Sequence, residues 1–340
     1  MRIALDATYS LGRNLSGVGV YSCELLFGLA RRHPQQRFLF YYRPHRFLRS
    51  FRESLPSNAS RRLLRGSPSA DLFHALNQRV DARARHTVST FHDLFVISGD
   101  YSTPEFRARF TDQARQAAEN SDAIISVSQF TASQVERYLG FPASRIHVIP
   151  HGVHMPPEAP AVAREKMVLF VGAIQRRKNI ARLVKAFEQL PDDWRLVLAG
   201  APDGFGAEDE LRAVEASPCR SRIEVPGYVT REQLENLYRR ARIFAFPSLD
   251  EGFGIPILEA MAYGIPVVTS NCSAMPEVAG NAAIQVDPLD SSQIGEALRR
   301  IAQDDELGAT LIGQGLDRAR AFSWESVVDQ TWEVYRTVAG

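Results

Sequence analysis

Short apolar segments alternate with helix-length segments along the whole chain, and this alternation restricts the fold more than any other feature of the sequence. In the first half, six segments are predicted to be buried strands: 2–7, 37–42, 71–75, 87–92, 122–128 and 145–150. Segments long enough for helices separate several of them: 18–33, 104–120 and 129–139. Continuous apolar strands that alternate with helices are typical of a parallel sheet covered on both faces. The sequence therefore predicts an α/β fold.

The alternation stops at "HGVHMPPEAPAVAREK" (151–166), a segment rich in proline and alanine that is typical of a linker. It then restarts with six more predicted strands: 167–172, 194–200, 222–227, 242–248, 266–270 and 282–286. Further helices are predicted at about 179–190, 231–241, 255–263, 291–303 and 323–338.

The restart predicts two Rossmann-like, doubly wound domains that face each other across a cleft. The predicted organisation is an N-terminal domain (1–155), a linker (156–166), a C-terminal domain (167–320), and a last helical segment (321–340) that packs back on the first domain. In such sheets ligands bind beyond the carboxyl ends of the strands, so we expect them in the cleft.

Composition excludes several classes of protein. The 340 residues are 45% hydrophobic and 23% charged, as in soluble globular proteins, and no apolar run is long enough to cross a bilayer. Three scattered cysteines give neither a disulfide framework nor a CxxC metal site, so we expect a cytoplasmic protein. Residues 1–163 carry 20 basic and 13 acidic side chains (+7), and 164–340 carry 20 and 26 (−6). The basic half indicates an anionic partner or, alternatively, an ordinary solvated surface.

Two glutamates flank a glycine-rich turn in "DEGFGIPILEAMAYGIPVV" (250–268). Glu251 lies in the predicted turn from a strand to a helix, and Glu259 lies about one turn inside that helix. The glycines allow close approach of backbone N–H groups to a ligand, and the helix start favours anions. Carboxylates accept hydrogen bonds from hydroxyls, and a nucleotide sugar offers hydroxyls on both its sugar and its ribose. The chemistry predicts a sugar-nucleotide site.

A second candidate element is "VGAIQRRKN" (171–179), directly after the first strand of the second half. A cluster of cations at a strand end, beside a helix start, suits a diphosphate because charge-assisted hydrogen bonds are strong. Lys178 is one of three lysines in a chain that otherwise uses arginine. A solvated basic turn is the alternative interpretation.

The spacing of Glu251 and Glu259 and the residues around them resemble family 4 of the retaining GT-B glycosyltransferases. The similarity covers nearly the whole chain and is densest over "PGYVTREQLENLYRRARIFAFPSLDEGFGIPILEAMAYGIPVVTS" and "MPEVAGNAAIQVDP". The resemblance implies that Glu251 holds the donor sugar, that Glu259 holds the ribose, and that Lys178 binds the diphosphate. Ala173 stands where the family often has a basic residue, and Arg176 or Arg177 is predicted to replace it.

The resemblance also implies roles for two elements of the first half. Gly17 or Gly19 of "SGVGVYS" (16–22) is predicted to approach the donor phosphate or the acceptor from a loop; a tight turn into a helix is the alternative. His92 of "TFHDLF" is predicted to hydrogen-bond the donor sugar near its reactive carbon. The complete set predicted to bind the donor consists of Gly17, Gly19, Arg176, Arg177, Lys178, Tyr228, Val229, Glu251, Gly252, Phe253, Gly254, Ile255 and Glu259. The predicted catalytic residues are His92, Lys178 and Glu251.

The predicted activity is transfer of a sugar with retention of its anomeric configuration, without a metal or another cofactor, to a glycan or lipid-linked acceptor. No D-x-D occurs in the chain, which argues against the metal-dependent GT-A architecture. The resemblance implies that 1–155 is the acceptor-side domain and that 167–320 binds the nucleotide sugar. It is greatest to bacterial mannosyltransferases of surface polysaccharide synthesis, so GDP-mannose is the predicted donor, with UDP-glucose, UDP-N-acetylglucosamine and dTDP-rhamnose as the alternative donors. A sugar-nucleotide epimerase and a non-catalytic nucleotide-sugar-binding protein are the alternatives; a nucleic-acid partner is not expected.

The segment "RPHRFLRSFRESLPSNASRRLLRG" (43–66) contains seven arginines and one acidic residue, with Phe47, Leu48 and Phe51 among them. Such a segment is predicted to rest on an anionic membrane surface or to bind a lipid phosphate. The expected location is therefore cytoplasmic, with peripheral contact at the inner face of the membrane. A solvated helix and loop is the alternative interpretation.

Overall fold

The structure, a computed structural model, describes residues 1–12, 15–157 and 163–340. By its internal contacts the chain divides into two compact units: Met1–Gly152 with Ser323–Gly340, and Val153–Phe322. Part of the predicted linker, residues 158–162, lies outside the described residues. Among the helices of the described part, none combines the length and apolar character that spanning a bilayer requires.

The first unit is built on a parallel sheet that has seven strands within the described residues. Its strands are β1 (Arg2–Asp6), β2 (Arg37–Tyr42), β3 (Ala59–Leu63), β4 (Leu72–Ala75), β5 (His86–Phe91), β6 (Ala123–Ser126) and β7 (Ile146–Val148). The order across the sheet is β3-β2-β1-β4-β5-β6-β7. The helices up to this point are α1 (Gly17–Arg32), α2 (Pro44–Phe47), α3 (Phe95–Ser98), α4 (Pro104–Glu119) and α5 (Gln129–Leu139).

The second unit repeats this plan with a parallel sheet of six strands in the described part of the chain. Its strands are β8 (Glu165–Val171), β9 (Arg195–Ala199), β10 (Ile223–Gly227), β11 (Ala241–Phe246), β12 (Val267–Ser270) and β13 (Ala283–Val286), in the order β10-β9-β8-β11-β12-β13. Its helices are α6 (Ile180–Phe187), α7 (Ala207–Ala216), α8 (Arg231–Arg240), α9 (Ile255–Ala262), α10 (Met275–Ala279), α11 (Ser291–Gln303) and α12 (Asp305–Arg320). The two parallel sheets confirm the predicted fold class.

The last helix, α13 (Trp324–Ala339), belongs to the first unit and packs against α1. Trp324, Val328 and Tyr335 join the apolar cluster on one face of the first sheet, together with side chains of α1. A second cluster, on the opposite face, contains apolar residues of α4 and α5. Both faces are therefore covered, as the continuous apolar strands predicted.

The structure corrects the alternative interpretation of the basic segment 43–66 as a solvated helix and loop, because part of the segment is a strand. Only α2 and a short 3₁₀ turn, Leu48–Arg52, are helical, and β3 follows as the edge strand beside β2. The arginines of "ASRRL" remove the apolar pattern by which a strand is predicted. An edge strand tolerates them because it is only half-buried. Helices α3, α7, α10 and α12 were also not predicted, although the other helix and strand positions agree within about three residues.

Candidate functional site

Two neighbouring strands of the second sheet place the candidate donor-binding residues. β8 and β11 run parallel and side by side, so the loops that follow them meet at the same edge of the sheet. Leu249 N–H, in the loop after β11, donates to Arg177 O in the loop after β8 (2.7 Å). The Asn179 amide, at a residue with φ of +61°, donates to the carbonyls of Pro247 (2.9 Å) and Pro288 (2.6 Å). Backbone and side-chain bonds together hold the two loops in one arrangement.

An ion-paired triad occupies this edge. Lys178 Nζ donates to Glu251 Oε1, and an Arg177 Nη lies 2.7 Å from Glu251 Oε2. The same Arg177 nitrogen donates to Asp250 O (2.8 Å), and Lys178 Nζ lies 4.5 Å from the centroid of the Phe246 ring. Lys178 and Glu251 are buried, with 6% and 8% of their surface exposed. Buried charges are costly unless they are paired. In the triad, the cations of one loop are paired with the carboxylate of the other.

The triad keeps Glu251 ionised. Burial alone would raise the pKa of its carboxyl, but Arg177 and Lys178 outweigh burial and lower the pKa to about 2. The backbone around it is also fixed: Glu251 N–H donates to Ser273 Oγ (3.2 Å), and Ala274 N–H donates to Glu251 O (3.3 Å). The three charged side chains sum to +1, which suits an anion such as a diphosphate.

The second glutamate has a different environment. Gly254, with φ of +110°, opens α9, and Glu259 lies in the second turn of that helix. The Tyr238 hydroxyl donates to Glu259 Oε2 (2.8 Å). Within the described residues no cation forms an ion pair with Glu259, and burial raises the pKa of its carboxyl. The pKa values of two carboxyls in one loop-and-helix segment are thus shifted in opposite directions, a pattern seen in functional sites.

The remaining residues predicted for the second unit are distributed along the same segment and beyond it. Gly252, Phe253 and Ile255 lie with Gly254 between the two glutamates, and the Phe253 ring contacts Phe322 (6.0 Å between centroids). Arg176 is exposed, whereas Arg177 is directed to Glu251. Tyr228 and Val229 follow β10, which is separated from β8 by β9, and Tyr228 is exposed.

In the first unit, His92 lies directly after β5 and is buried. Its Nε2 is 2.9 Å from Leu76 O, and because a carbonyl only accepts, this nitrogen carries the proton. Burial lowers the pKa of His92 to about 4, so the ring is neutral near pH 7 and its Nδ1 is an acceptor. Nδ1 lies 3.4 Å from His151 Nε2. Contact of His92 with a donor sugar stays a prediction, and its single N–H is held by Leu76.

Gly17 and Gly19 lie in the first turn of α1, in agreement with the helix predicted at 18–33 and with the alternative of a turn into a helix; their approach to the donor phosphate or the acceptor stays a prediction. The Ser16 hydroxyl caps the helix by accepting from Gly19 N–H (3.3 Å), so the serine turns "SGVGVYS" into a helix start. The same helix places the Tyr21 ring 4.9 Å from the His92 ring, between centroids. The start of α1 and His92 are therefore neighbours in the first unit.

Three residues of these sites were missed in the sequence. Asn179 and Tyr238 carry no recognisable catalytic pattern, although Asn179 directly follows the basic cluster. Ser273, with φ of +52°, lies in a turn more than twenty residues beyond the glutamate that it supports. Residues that are hydrogen-bonded over a long distance in sequence form no motif with a characteristic spacing, so only the folded structure identifies these partners.

Comparison with known proteins gives this arrangement a family. The family described as "Glycosyl transferases group 1" matches residues 155–317, and "Glycosyltransferase Family 4" matches residues 15–155. The chain is 33% identical over 281 residues to the O-antigen chain mannosyltransferase B of Escherichia coli, covering 78% of this chain and 74% of that one. It is 30% identical over 259 residues to the serotype-specific mannosyltransferase WbdA of Escherichia coli, covering 70% of this chain and 32% of that one.

Solved structures share the fold over nearly the entire chain. Sucrose-phosphate synthase from Thermosynechococcus elongatus superposes with a TM-score of 0.79 at 21% identity, covering 99% of this chain and 98% of that one. HepE of Anabaena in complex with UDP-glucose superposes with a TM-score of 0.75 at 17% identity, covering 99% of both chains. At such identities the likeness concerns the fold.

Proposed function

The chain belongs to the family 4 (group 1) glycosyltransferases and has their GT-B fold, and on that premise we propose that it transfers mannose from GDP-mannose to a growing surface glycan. The observation that carries the proposal is the buried triad of Arg177, Lys178 and Glu251, with Glu259 on the helix that follows. The similarity to two O-antigen-type mannosyltransferases of Escherichia coli supports mannose as the sugar.

In the proposed complex the residues of the triad bind different parts of the donor. Lys178 and Arg177 have more N–H donors than Glu251 can accept, so both cations can also bind the diphosphate. Glu251, ionised and fixed by these cations, accepts hydrogen bonds from the sugar hydroxyls. Glu259 accepts from the ribose, and the N–H groups at Gly254 and Ile255 face the phosphates at the start of α9.

The proposed reaction proceeds with retention and without a metal. The acceptor hydroxyl attacks the anomeric carbon from the face that the diphosphate leaves, and a phosphate oxygen takes the hydroxyl proton. Negative charge develops on the leaving diphosphate, where Lys178 and Arg177 stabilise it. His92, as a neutral ring, contributes shape and an acceptor nitrogen but no base, because a group with a pKa near 4 holds protons weakly at pH 7.

The first test is binding of nucleotides without added metal. Thermal unfolding is recorded with GDP-mannose, GDP, UDP-glucose, UDP-N-acetylglucosamine and dTDP-rhamnose in the presence of EDTA. A ligand that binds only the native state raises the free energy of unfolding, by about 2.7 kcal/mol at a concentration 100 times its dissociation constant. The melting temperature rises as a result. We expect a shift with GDP compounds. A shift with uridine or thymidine compounds alone would overturn the choice of mannose, and no shift at all would overturn the donor site.

The second test is transfer itself. Radiolabelled GDP-mannose is incubated with short oligomannoside acceptors, with and without EDTA, and the anomeric configuration of the product is read by NMR. We expect an α-linked product that is insensitive to EDTA, and its loss in Glu251→Ala. Full activity of Glu251→Ala, or an inverted anomeric centre, contradicts the proposed site or mechanism.

The basic segment of the first unit supports a proposal about the acceptor. His45, Arg46, Leu48, Arg49 and Arg52 line a surface groove of about 530 Å³. Leu48 and Phe51 are exposed by 81% and 62%, beside these arginines. Exposed apolar side chains within a cationic surface suit an anionic lipid interface, where the apolar groups insert and the arginines bind phosphates. We propose that this surface holds the enzyme near a lipid-linked acceptor.

Vesicle sedimentation tests this contact. We expect binding to vesicles that contain phosphatidylglycerol, weaker binding at high salt, and little binding to phosphatidylcholine alone. The double variant Leu48→Ser/Phe51→Ser should bind less. Phe106→Ser, which removes an exposed aromatic ring from α4 of the same unit, is the matched control. Equal binding by both variants would assign the contact to another surface.

A further inference from the structure

Tyr238 of α8 and Glu259 of α9 form a hydrogen-bonded polar pair. Tyr238 is 2% exposed, on the last turn of α8, and its hydroxyl donates to Glu259 Oε2 (2.8 Å). Its ring stacks on Tyr263, with centroids 5.2 Å apart and planes 19° apart, and contacts Phe244. Packing therefore fixes the ring, and the position of the hydroxyl follows from the ring.

The pair leaves half of the carboxylate available. Within residues 1–12, 15–157 and 163–340, Tyr238 is the one residue that hydrogen-bonds the Glu259 carboxylate. Glu259 itself is only partly buried, and its hydrogen bond from Tyr238 uses Oε2 and not Oε1. A carboxylate fixed through one oxygen presents the other in a defined direction, which suits a pair of neighbouring hydroxyls such as a ribose diol.

We propose that Tyr238 is a positioning residue that holds Glu259 ready to accept from the ribose diol of the nucleotide. This inference rests on the proposed function, since it needs a nucleotide in the site. Glutamate has three rotatable bonds, and a free side chain would have to be ordered when the ligand binds. The Tyr238 hydroxyl orders it beforehand. Loss of the hydroxyl should therefore weaken ribose binding without removing any direct contact with the ligand.

The variant Tyr238→Phe removes the hydroxyl and keeps the stacked ring. Dissociation constants for GDP and 2′,3′-dideoxy-GDP are measured by calorimetry on the full chain. We expect GDP to bind about five- to tenfold more weakly, in keeping with the cost of ordering one long side chain. Dideoxy-GDP, which lacks the diol, should bind the variant as it binds the wild type. With GDP-mannose, KM should rise by the same factor and kcat should stay unchanged.

Two controls separate positioning from general stability. Tyr263→Phe removes a hydroxyl from the other ring of the stack, and it should bind both nucleotides as the wild type does. In a Glu259→Ala background, Tyr238→Phe should have no further effect on GDP binding, because the side chain through which the tyrosine acts is then absent.

Each contrary result has its own meaning. An equal loss of GDP and dideoxy-GDP affinity in Tyr238→Phe overturns the inference alone, since a merely structural tyrosine would affect both nucleotides. Unchanged affinity for both nucleotides also overturns it. If the wild type binds none of the nucleotides tested above, the proposed function fails, and the inference fails with it.

Discussion

The buried carboxylate of Glu251 depends on two cations, and the cations depend on it. Removal of one member leaves the others buried without compensation, which is more costly than the pair itself is worth. This mutual dependence explains why Lys178, one of three lysines in the chain, lies in the interior whereas Lys166 is half-exposed. Under the proposed function, the same residues would govern both stability and donor binding.

We therefore expect strong coupling between Glu251 and Lys178. Glu251→Gln and Lys178→Met should each lower the free energy of unfolding by about 3–5 kcal/mol, and the double variant should cost less than their sum by at least about 1 kcal/mol. Urea denaturation of the four proteins measures the difference. The exposed pair Lys166–Asp193 is the control, with a coupling below about 1 kcal/mol. Additive effects at Glu251 and Lys178 contradict the triad.

A buried histidine makes the stability of the first unit depend on pH. His74 Nδ1 lies 2.6 Å from the Tyr335 hydroxyl, and its Nε2 lies 2.8 Å from Thr90 Oγ1. Burial, with a smaller contribution from His92, lowers the pKa of His74 from 6.5 to about 3. At a pH between these two pKa values, His74 is protonated in the unfolded chain and neutral in the folded one. The contribution of His74 to stability is therefore complete above pH 6.5 and declines as the pH falls toward 3.

The variant His74→Asn should make stability less dependent on pH. Between pH 6 and pH 5 the free energy of unfolding should change less than in the wild type, by up to about 1.4 kcal/mol per pH unit. The comparison with wild type cancels the carboxyls that titrate in the same range. His45→Asn, which replaces an exposed histidine, should keep the wild-type slope. A wild-type slope in His74→Asn would show that His74 binds the proton to the same extent in the folded and the unfolded chain.

At the scale of elements, the start of α9 depends on one glycine. Gly254 has φ of +110°, a conformation that residues with a Cβ rarely adopt, and an added Cβ would lie 3.2 Å from Ile257 Cδ1. Gly313, in α12, has open space around an added Cβ. The same substitution at the two sites therefore tests backbone conformation against helix propensity.

We expect Gly254→Ala to destabilise by about 1–3 kcal/mol and to weaken nucleotide binding, because α9 would start differently. Gly313→Ala should stabilise by about 0.5–1 kcal/mol. Thermal unfolding and calorimetry with GDP measure both effects. If Gly254→Ala is as stable as the wild type or more stable, the strain at Gly254 is absent.

The sequence predicted most elements because each carries its own signal, such as the apolar strand "RFLFYY" or the Gly264 that ends α9. The prediction failed for elements that are largely exposed to solvent, because their hydrophobic pattern is weak. β3 is an arginine-rich edge strand, and α12 exposes much of its surface. At the site, Glu251 and Lys178 were predicted individually, whereas their ion pair was not, because 73 residues separate them. Asn179, Tyr238 and Ser273 act only through such distant partners.

At the scale of the whole molecule, the first unit depends on α13. Residues of this helix complete the apolar cluster against α1, and the Tyr335 hydroxyl reaches His74 in the adjacent sheet. Deletion of residues 324–340 should therefore unfold the first unit, while the second, Val153–Phe322, keeps its own sheet and core.

Hydrogen exchange followed by mass spectrometry tests this deletion. We expect loss of protection in β1, β4 and α1, with protection retained in β8 and β11. Asp329→Asn, which breaks only the exposed pair with Arg32, should leave the pattern unchanged and change stability by at most about 1 kcal/mol. Retained protection in β1 of the shortened chain contradicts the role given to α13.

The place of α13 has a consequence for biosynthesis. A ribosome makes Met1–Gly152 first, but the helix that completes this unit emerges only after the 170 residues of Val153–Phe322. At about 5–20 residues per second, the first half waits roughly 10 to 30 s for its last helix. The later unit, being continuous, can fold as soon as it leaves the exit tunnel. The order of folding would then be the reverse of the order of synthesis, with an unfinished apolar face awaiting α13 or a chaperone.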